Sequence, residues 1–275
     1  MERKSVLEKK NEKSFVYVIL GGGVAAGYAA LEFTKKGVSR GQLCIISDEL
    51  VAPYERPALS KGFLLPEGAA RLPGFHTCVG ANEERNVLIV CDHLSGIELM
   101  LGTRVSLAFV RDKILLTETG EIINYKFLII ATGARALKLE DIGLTGSNAE
   151  NVCYLRDISD ANKLVNTIRM CSGGKALVIG GGYIGMECAA SLVTNKINVS
   201  MVFPGSYCMG RLFTPKIASY YEDFYKSKGV NFIKGTSLES FVLNSEGKVK
   251  FNLFSTDGIM GGLNILGNRS KWVGL

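Results

Sequence analysis

The fold is decided by the stretch Tyr17-Val18-Ile19-Leu20-Gly21-Gly22-Gly23-Val24-Ala25-Ala26-Gly27, whose pattern returns as Ala176-Leu177-Val178-Ile179-Gly180-Gly181-Gly182-Tyr183-Ile184-Gly185. Each copy has a short apolar run, then G-x-G-x-x-G/A, then an Ala-rich helical pattern. This order predicts a strand, a tight turn and a helix, which together bind the pyrophosphate of a dinucleotide. Glycine turns without a ligand are the alternative interpretation. A single dinucleotide fold needs only one such turn, so two copies favour two nucleotide sites.

The glycines of each turn have separate roles. The first glycine allows the tight turn, the second lets the backbone approach a pyrophosphate, and a small third residue lets helix and strand pack closely. The start of the helix supplies free N–H groups and a partial positive charge for the phosphates. Two dinucleotides in one chain indicate electron transfer between a flavin and a nicotinamide.

Composition is that of an ordinary globular protein. The 275 residues have room for two domains, with 47% hydrophobic residues, 21% charged residues and a net charge of +6. Part of the charge lies in the first 13 residues, where lysines and glutamates mix without aromatic residues. This predicts a solvated tail rather than a nucleic-acid-binding arm. The chain lacks a secretory signal and a membrane-spanning apolar run, so we expect a soluble intracellular chain with no nucleic acid or membrane contact. We also expect a monomer.

Cysteine and histidine usage limits the chemistry. The seven cysteines are scattered, with no C-x-x-C and no C-x4-C pair, which predicts reduced thiols and excludes the dithiol of flavin-dependent disulfide reductases. The two histidines, His76 and His93, have no metal-ligand spacing, so we expect no metal.

The pattern along the chain predicts an α/β fold with two three-layer, Rossmann-like nucleotide-binding domains. We expect a tail at 1–13, domains at 14–148 and 149–262, and an irregular tail at 263–275. Strands are predicted at residues 15–20, 42–47, 198–203 and 230–234, and helices at 24–36, 155–169 and 215–228. Residues 127–134 are predicted as a central parallel strand that ends in a small-residue turn. An alternating stretch at 103–125, with a turn at Thr119-Gly120-Glu121, predicts a small antiparallel insertion, and residues 241–254 resemble a hairpin.

Two further features point to the first nucleotide. Glu49 follows the second strand, where an acid normally binds the adenosine ribose; a solvated loop acid is the alternative, because the spacing is slightly long. The loop Ala52-Pro53-Tyr54-Glu55-Arg56-Pro57-Ala58-Leu59-Ser60-Lys61-Gly62 then carries an arginine suited to a pyrophosphate. A lysine held near a flavin would stabilise negative charge on the reduced ring. Without the flanking glycine turns, this would be read as an ordinary surface loop.

Together these residues resemble plant monodehydroascorbate reductase, and most closely its peroxisomal membrane-associated members. The most specific motif is Pro53-Tyr54-Glu55-Arg56-Pro57-Ala58-Leu59-Ser60-Lys61. The similarity covers Phe15 to about Lys248 and includes the two glycine turns. Its other motifs are Ala70-Arg71-Leu72-Pro73-Gly74-Phe75-His76, Ala131-Thr132-Gly133, Tyr154-Leu155-Arg156, Gly180 to Glu187 and Cys208-Met209-Gly210-Arg211-Leu212-Phe213-Thr214.

The resemblance implies an FAD-dependent NAD(P)H oxidoreductase that returns the ascorbate radical to ascorbate. NAD(P)H passes a hydride to the flavin, which hands single electrons to two radicals in turn. The first domain would then bind FAD through Gly21, Gly22, Gly23, Val24, Ala25, Ala26, Glu49, Arg56, Lys61, Val105 and Arg156. The second would bind NADH, with NADPH possible, through Gly180, Gly181, Gly182, Tyr183, Ile184, Gly185, Met186, Glu187 and Arg211.

The resemblance also implies that Lys61 and Glu187 are catalytic. In related flavin reductases a lysine and a glutamate so placed form an ion pair beside the flavin ring, and this predicts an ammonium and a carboxylate within about 4 Å. The alternative is that Lys61 is solvated and that Glu187, expected on the first turn of its helix, only favours the helix N-terminus.

Three departures from the family pattern lead to further expectations. Pro204-Gly205 replaces the acid expected at the second ribose, which weakens the preference for NADH. The run Asn86-Val87-Leu88-Ile89-Val90-Cys91-Asp92-His93 replaces an amphipathic helix. After Thr256-Asp257-Gly258 the sequence diverges, and the C-terminal interface domain, with the membrane anchor of the peroxisomal members, is missing, which predicts a truncated form. A non-catalytic nucleotide-binding fragment, or a flavin reductase serving a ferredoxin-like partner, therefore remain alternatives.

Overall fold

The computed structural model describes residues 12–66, 96–144, 147–243, 245, 249–255 and 272–274, which fall in two compact units. The first unit contains the described residues 12–56 and 96–134, and the second contains 57–66 and those from 135 onward. The predicted domain boundary after residue 148 therefore lies inside the second unit. The predictions for residues 1–11, 70–76, 86–93 and 259–271 lie outside the described residues.

The first unit is built on a six-stranded sheet of order β3-β2-β1-β6-β5-β4. The central strand β1 pairs in parallel with β2 and β6, β2 pairs in parallel with β3, and β5 is antiparallel to β4 and β6. The elements are β1 (Glu12–Leu20), α1 (Val24–Lys35), β2 (Leu43–Ile46), β3 (Glu98–Met100), β4 (Val105–Phe109), β5 (Ile114–Thr117) and β6 (Ile122–Ile130). β1 begins inside the predicted tail, because Glu12 and Lys13 already pair with β6.

One long strand, β6, replaces two predicted pieces. The expected insertion ending at Tyr125 and the expected strand from Phe127 are continuous, since one edge of β6 pairs with β5 and the other with β1. The turn before β6 is confirmed: Gly120 has φ +85° and the Glu121 N–H donates to Thr117 Oγ1 at 2.9 Å. β6 ends at Ile130, and residues 131–134 lie outside the strand, in agreement with the predicted small-residue end of this segment.

Apolar side chains cover both faces of this sheet, because successive strand residues point to opposite sides. Val18 and Ile46 belong to the core on one face, whereas Ile19 and Ile45 pack with α1 on the other. Each is fully buried, and burying such a side chain contributes about 1.5–3 kcal/mol. The glycine turn therefore follows a strand that is held from both sides.

The second unit has a parallel sheet of order β12-β7-β8-β9 and a separate hairpin of β10 and β11. Its elements are α2 (Ile158–Met170), β7 (Lys175–Ile179), α3 (Tyr183–Thr194), β8 (Asn198–Phe203), α4 (Pro215–Ser227), β9 (Asn231–Lys234), β10 (Thr236–Leu243), β11 (Val249–Ser255) and β12 (Trp272–Gly274). The prediction of an irregular tail is wrong at 272–274, where β12 pairs with the outer edge of β7 and so satisfies its backbone groups.

Capping groups explain where the helices of this unit begin and end. α2 begins three residues later than predicted, because the Asp157 carboxylate accepts from the Asp160 N–H at 2.9 Å and caps the helix. Pro215 occupies the first turn of α4, and Gly229, with φ +92°, follows its end. The hairpin begins at Thr236, five residues before the predicted start.

Candidate functional site

The first glycine turn lies at the carboxyl end of β1, in the centre of the sheet. Gly21 has φ +125°, and a Cβ there would collide with the carbonyl oxygen of Ala131. Gly23 is the N-cap of α1, has open space over its Cα and has no side-chain cap. Ala26 is fully buried, as the close approach of helix and strand requires. An uncapped helix start below open space fits a phosphate group.

The second turn repeats this geometry at the carboxyl end of β7. Gly180 has φ +122°, and Gly182 is the uncapped N-cap of α3 with nothing above it. A Cβ on Gly185 would collide with the carbonyl oxygen of Gly180. In both turns the first glycine therefore makes the tight turn, and the small third residue allows the close contact between helix and strand, as expected.

The middle glycines also have a role, which the sequence reasoning missed. A Cβ on Gly22 would collide with the Ser47 hydroxyl, and one on Gly181 would lie 2.8 Å from the Phe203 ring. Ser47 directly follows β2, and Phe203 is the last residue of β8. In each unit a residue at the end of the second strand therefore leaves no room for a side chain on the middle residue of the turn. The sequence indicates this by having G-G-G in both turns where the motif requires only G-x-G.

Glu49 lies in a polar cluster at the end of β2. Its two carboxylate oxygens accept from Arg56 Nη2 and from the Tyr54 hydroxyl, each at 2.6 Å. Both side chains of the ion pair are mostly buried, with 18% of Glu49 and 25% of Arg56 exposed. The Arg56 guanidinium also lies 5.4 Å from the centre of the Tyr54 ring. The structure thus brings together two residues predicted to bind adjacent groups of one nucleotide, the adenosine ribose and the pyrophosphate.

The remaining predicted residues of the first nucleotide are spread over both units. Val24 and Ala25 are exposed on the first turn of α1, and Val105 begins β4 with its side chain packed against the core of the first unit. Arg156 belongs to the second unit, where its N–H donates to Asp160 Oδ2 at 2.9 Å.

Around the second turn, the exposed and buried residues divide clearly. Tyr183 and Ile184 are 52% and 56% exposed on the first turn of α3, where a nucleotide would arrive. Met186 is only 2% exposed, so its side chain belongs to the core, and the expectation that it contacts the nucleotide is wrong for the side chain.

Arg211 is carried by the segment 204–213, which follows β8 and which we call the nucleotide loop. The Met209 N–H donates to the carbonyl oxygen of Gly181 at 2.6 Å, so the loop is tied to the glycine turn two residues before Arg211. The Arg211 side chain is exposed and makes no ion pair with a described residue. A guanidinium held near a glycine turn is suited to bind phosphate.

The predicted Lys61–Glu187 ion pair is present within the second unit. Lys61 Nζ lies 2.9 Å from Glu187 Oε2, well inside the expected 4 Å. Ser60, which the sequence reasoning left without a role, donates its hydroxyl to the same oxygen at 2.5 Å. The only feature of the sequence that could have indicated a role for Ser60 is its position next to Lys61.

Residues 57–66 pack on α3, which is why Lys61 groups with the second unit rather than with the predicted flavin domain. The Ser191 hydroxyl donates to the carbonyl oxygen of Ser60 at 3.3 Å, and Asn195 Nδ2 donates to that of Leu64 at 2.8 Å. Glu187 is the fifth residue of α3, not part of the first turn as expected. A helix-terminus effect is therefore a poor explanation for it, because that effect falls off within one turn.

The described cysteines are buried and lie outside disulfide bonds: Cys44, Cys153, Cys171, Cys188 and Cys208. Burial, followed by the Glu187 carboxylate, raises the pKa of Cys188 to about 12. Burial also raises the pKa of Cys44 to about 12. Both thiols are protonated at neutral pH and are unsuited to nucleophilic chemistry.

The family assignment rests on a match to a known family model over most of the chain. Residues 15–260 match the family model described as pyridine nucleotide-disulphide oxidoreductase. The chain belongs to this family. Membership confirms the predicted class, an oxidoreductase with the FAD and NAD(P) type of α/β fold.

Curated relatives agree with the predicted resemblance. The chain is 71% identical over 238 residues to the peroxisomal monodehydroascorbate reductase 4 of Arabidopsis thaliana, covering 86% of this chain and 48% of that protein. It is 52% identical over 237 residues to the cytosolic monodehydroascorbate reductase 4 of Oryza sativa subsp. japonica, covering 86% of this chain and 54% of that protein. The chain spans about half the length of the curated relatives it matches.

A solved structure shares the fold. The covalent putidaredoxin reductase–putidaredoxin complex superposes with a TM-score of 0.74 at 25% identity, covering 90% of this chain and 56% of that one. Within the described residues, no helix is long and apolar enough to cross a membrane. Among the residues that the structure describes, no three or more His, Cys, Asp or Glu side chains form a group that could hold a metal ion.

Proposed function

We propose that this chain binds FAD in its first unit and NADH, or NADPH, in its second, and that it reduces the monodehydroascorbate radical to ascorbate. The observation that carries the proposal is the repeated geometry: each unit has a glycine turn, an uncapped helix start and open space above it. The names of the relatives that are 52% and 71% identical support the substrate.

In the first unit, the N–H groups at the start of α1 would bind the FAD pyrophosphate. Arg56 would add a bidentate contact, and Glu49 would bind the ribose. Glu49 already holds Arg56 and Tyr54, but a carboxylate has about four lone-pair positions, so it can accept from ribose hydroxyls as well. Bound FAD would supply the conversion between a two-electron donor and a one-electron acceptor.

In the second unit, the start of α3 would bind the pyrophosphate of the nicotinamide nucleotide, with Tyr183 and Ile184 at its surface. Arg211 would lie near the adenosine ribose, where NADPH carries its additional phosphate. Lys61 would stabilise negative charge beside the flavin. Glu187 and Ser60 would orient that ammonium, since both contact it or share its partner oxygen. No cysteine is required in this scheme.

We further propose that the reaction partner is a small molecule, that the chain is a monomer, and that it works in the peroxisome or the cytosol. The compartments are those in the names of the relatives. Two alternatives stay open as tests. One is a nucleotide-binding fragment without activity. The other is a reductase for a ferredoxin-like protein, which the likeness to the putidaredoxin reductase complex favours.

The proposal is tested by the colour of the protein. The purified chain, incubated with FAD and desalted, should be yellow, and anaerobic NADH should bleach it. Ascorbate radical, generated enzymatically, should then restore the colour faster than oxidised ferredoxin does. A colourless protein would favour the fragment alternative, and a bleached protein that only ferredoxin reoxidises would favour the second alternative.

A further inference from the structure

A buried carboxylate in the second unit has no part in the scheme above. Glu222 lies in the middle of α4 and is 2% exposed. Its Oε1 accepts from the Cys208 N–H at 2.8 Å, and its Oε2 accepts from Lys234 Nζ at 2.8 Å. A buried acid is stable only when such partners replace water, so both of these contacts hold Glu222 in place.

The first contact fixes the nucleotide loop, residues 204–213, at its middle. Cys208 is fully buried, and its thiol lies 3.7 Å from the carbonyl oxygen of Ala218 on the same helix. The next residue, Met209, has φ +50°, a left-handed conformation that a non-glycine residue keeps only when its surroundings enforce it. Its N–H reaches Gly181. The loop is thus held between α4 on one side and the glycine turn on the other.

The second contact fixes a cation at the other end of the loop. Lys234 is the last residue of β9, and its ammonium lies 5.0 Å from the centre of the Tyr207 ring, within the range of a cation–π interaction. The Gly235 N–H lies 3.4 Å from the carbonyl oxygen of Gly205. One carboxylate therefore orders the loop directly, through Cys208, and indirectly, through Lys234 and Tyr207.

We propose that Glu222 is a positioning residue for the nucleotide loop and that, by holding the loop, it sets the affinity for a nucleotide with a phosphate on its adenosine ribose. The inference rests on the proposed function, because it takes Arg211 as the group that meets this phosphate. Arg211 is exposed and lies two residues after the Met209 contact, so its place depends on the clamped loop. Glu222 itself does not touch the nucleotide.

The test compares Glu222→Gln and Glu222→Ala with the parent, with Asp223→Asn as the matched control, since Asp223 is an exposed carboxylate one residue further along α4. Amide hydrogen exchange reports the loop, and calorimetry with NADH and with NADPH reports binding. In Glu222→Gln, which keeps the volume of the side chain, exchange in residues 205–213 should rise about threefold or more. Exchange in α2 and the behaviour of Asp223→Asn should not change.

Binding should change selectively. The Kd of NADPH should rise about tenfold in Glu222→Ala and about threefold in Glu222→Gln, whereas the Kd of NADH should change less than about twofold. If Glu222→Ala does not fold, the Gln variant decides. If the Gln variant has the parental loop exchange, or the parental ratio of affinities for the two nucleotides, the inference about Glu222 is overturned and the proposed function is not affected. A parent that binds neither nucleotide would instead overturn the proposed function.

Discussion

At the scale of single residues, the first glycine turn has space for a side chain at one of its three glycines and no space at the other two. A side chain at Gly21 would meet Ala131, and one at Gly22 would meet Ser47, so both glycines are required by packing inside the protein. Gly23 has extended backbone, with φ −89° and ψ −171°, and empty space above it. Any residue can adopt that conformation, so the protein itself has room for a side chain there, and a side chain would interfere only with a bound ligand.

We therefore predict that Gly23→Val folds but does not retain FAD. Stability should fall by no more than about 1 kcal/mol, the cost of a poor N-cap, whereas the flavin absorbance left after desalting should fall at least about tenfold. Gly182→Val is the matched variant, because Gly182 has nearly the same backbone angles and the same open space. It should lose NADH binding and keep FAD. Parental flavin content in Gly23→Val would contradict the placement of FAD.

Gly205 gives a second prediction, on nucleotide preference. A Cβ there would have Tyr207 at 3.5 Å as its nearest neighbour, so Gly205→Glu can be accommodated. With an acid after β8, NADH should bind more tightly and NADPH more weakly, because a carboxylate accepts from ribose hydroxyls and repels a phosphate. The ratio of the two Kd values should shift about tenfold in favour of NADH, and Gly205→Gln should shift it much less. A strong NADH preference already present in the parent would contradict the argument.

At the scale of elements, local patterns predicted the glycine turns and the helices that follow the strands, and the family resemblance predicted the Lys61–Glu187 pair. The pairing between distant strands could not be predicted from local patterns. The turn at 119–121 was readable from three residues. That β6 is one strand depends on β1 and β5 lying on either side of it, and no short window contains that fact. The start of α2 was misjudged for a different reason: the periodic pattern extends to Leu155, but Asp157 caps the helix later.

The contacts of α3 with residues 57–66 lead to a prediction about Lys61 and Glu187. Because 42% of the Lys61 side chain and 26% of the Glu187 side chain are exposed, the pair should add at most about 1 kcal/mol to stability in a double-mutant cycle of Lys61→Met and Glu187→Gln. Each single change should nevertheless slow the reduction of bound flavin by NADH about tenfold or more, as measured by stopped-flow absorbance, if Lys61 and Glu187 have the catalytic role proposed above.

The control for that prediction is the Glu32–Lys35 pair on α1, which is 2.7 Å apart but about 60% exposed. Removing it should change neither stability nor flavin reduction beyond the scatter of the measurement. An unchanged rate in both Lys61→Met and Glu187→Gln would show that the pair is structural only, and would remove the main reason for placing the flavin ring there.

At the scale of the whole molecule, both units have parallel strands and a glycine turn that leads into a helix, but the outer strands of the two sheets differ. The first sheet continues from β6 into antiparallel strands, whereas the second is parallel throughout, from β12 to β9. Each unit carries a deeply buried thiol whose pKa burial raises to about 12: Cys44 lies in β2, and Cys188 lies in α3 next to Glu187.

The last prediction uses them as reporters of alkaline unfolding. Burial raises the pKa of both thiols from 9.0 to about 12, so the folded protein keeps them protonated while the unfolded chain releases the protons above pH 9. Stability from this source is complete below pH 9 and is lost as the pH rises from 9 toward 12. The free energy of unfolding should fall by about 1 kcal/mol per thiol for each pH unit in this window, measured by urea titration. Cys44→Ala and Cys188→Ala should be less stable at pH 7, through lost packing, yet should show shallower slopes between pH 9 and pH 11. Slopes equal to the parental one in both variants would show that other groups, not these thiols, govern alkaline unfolding.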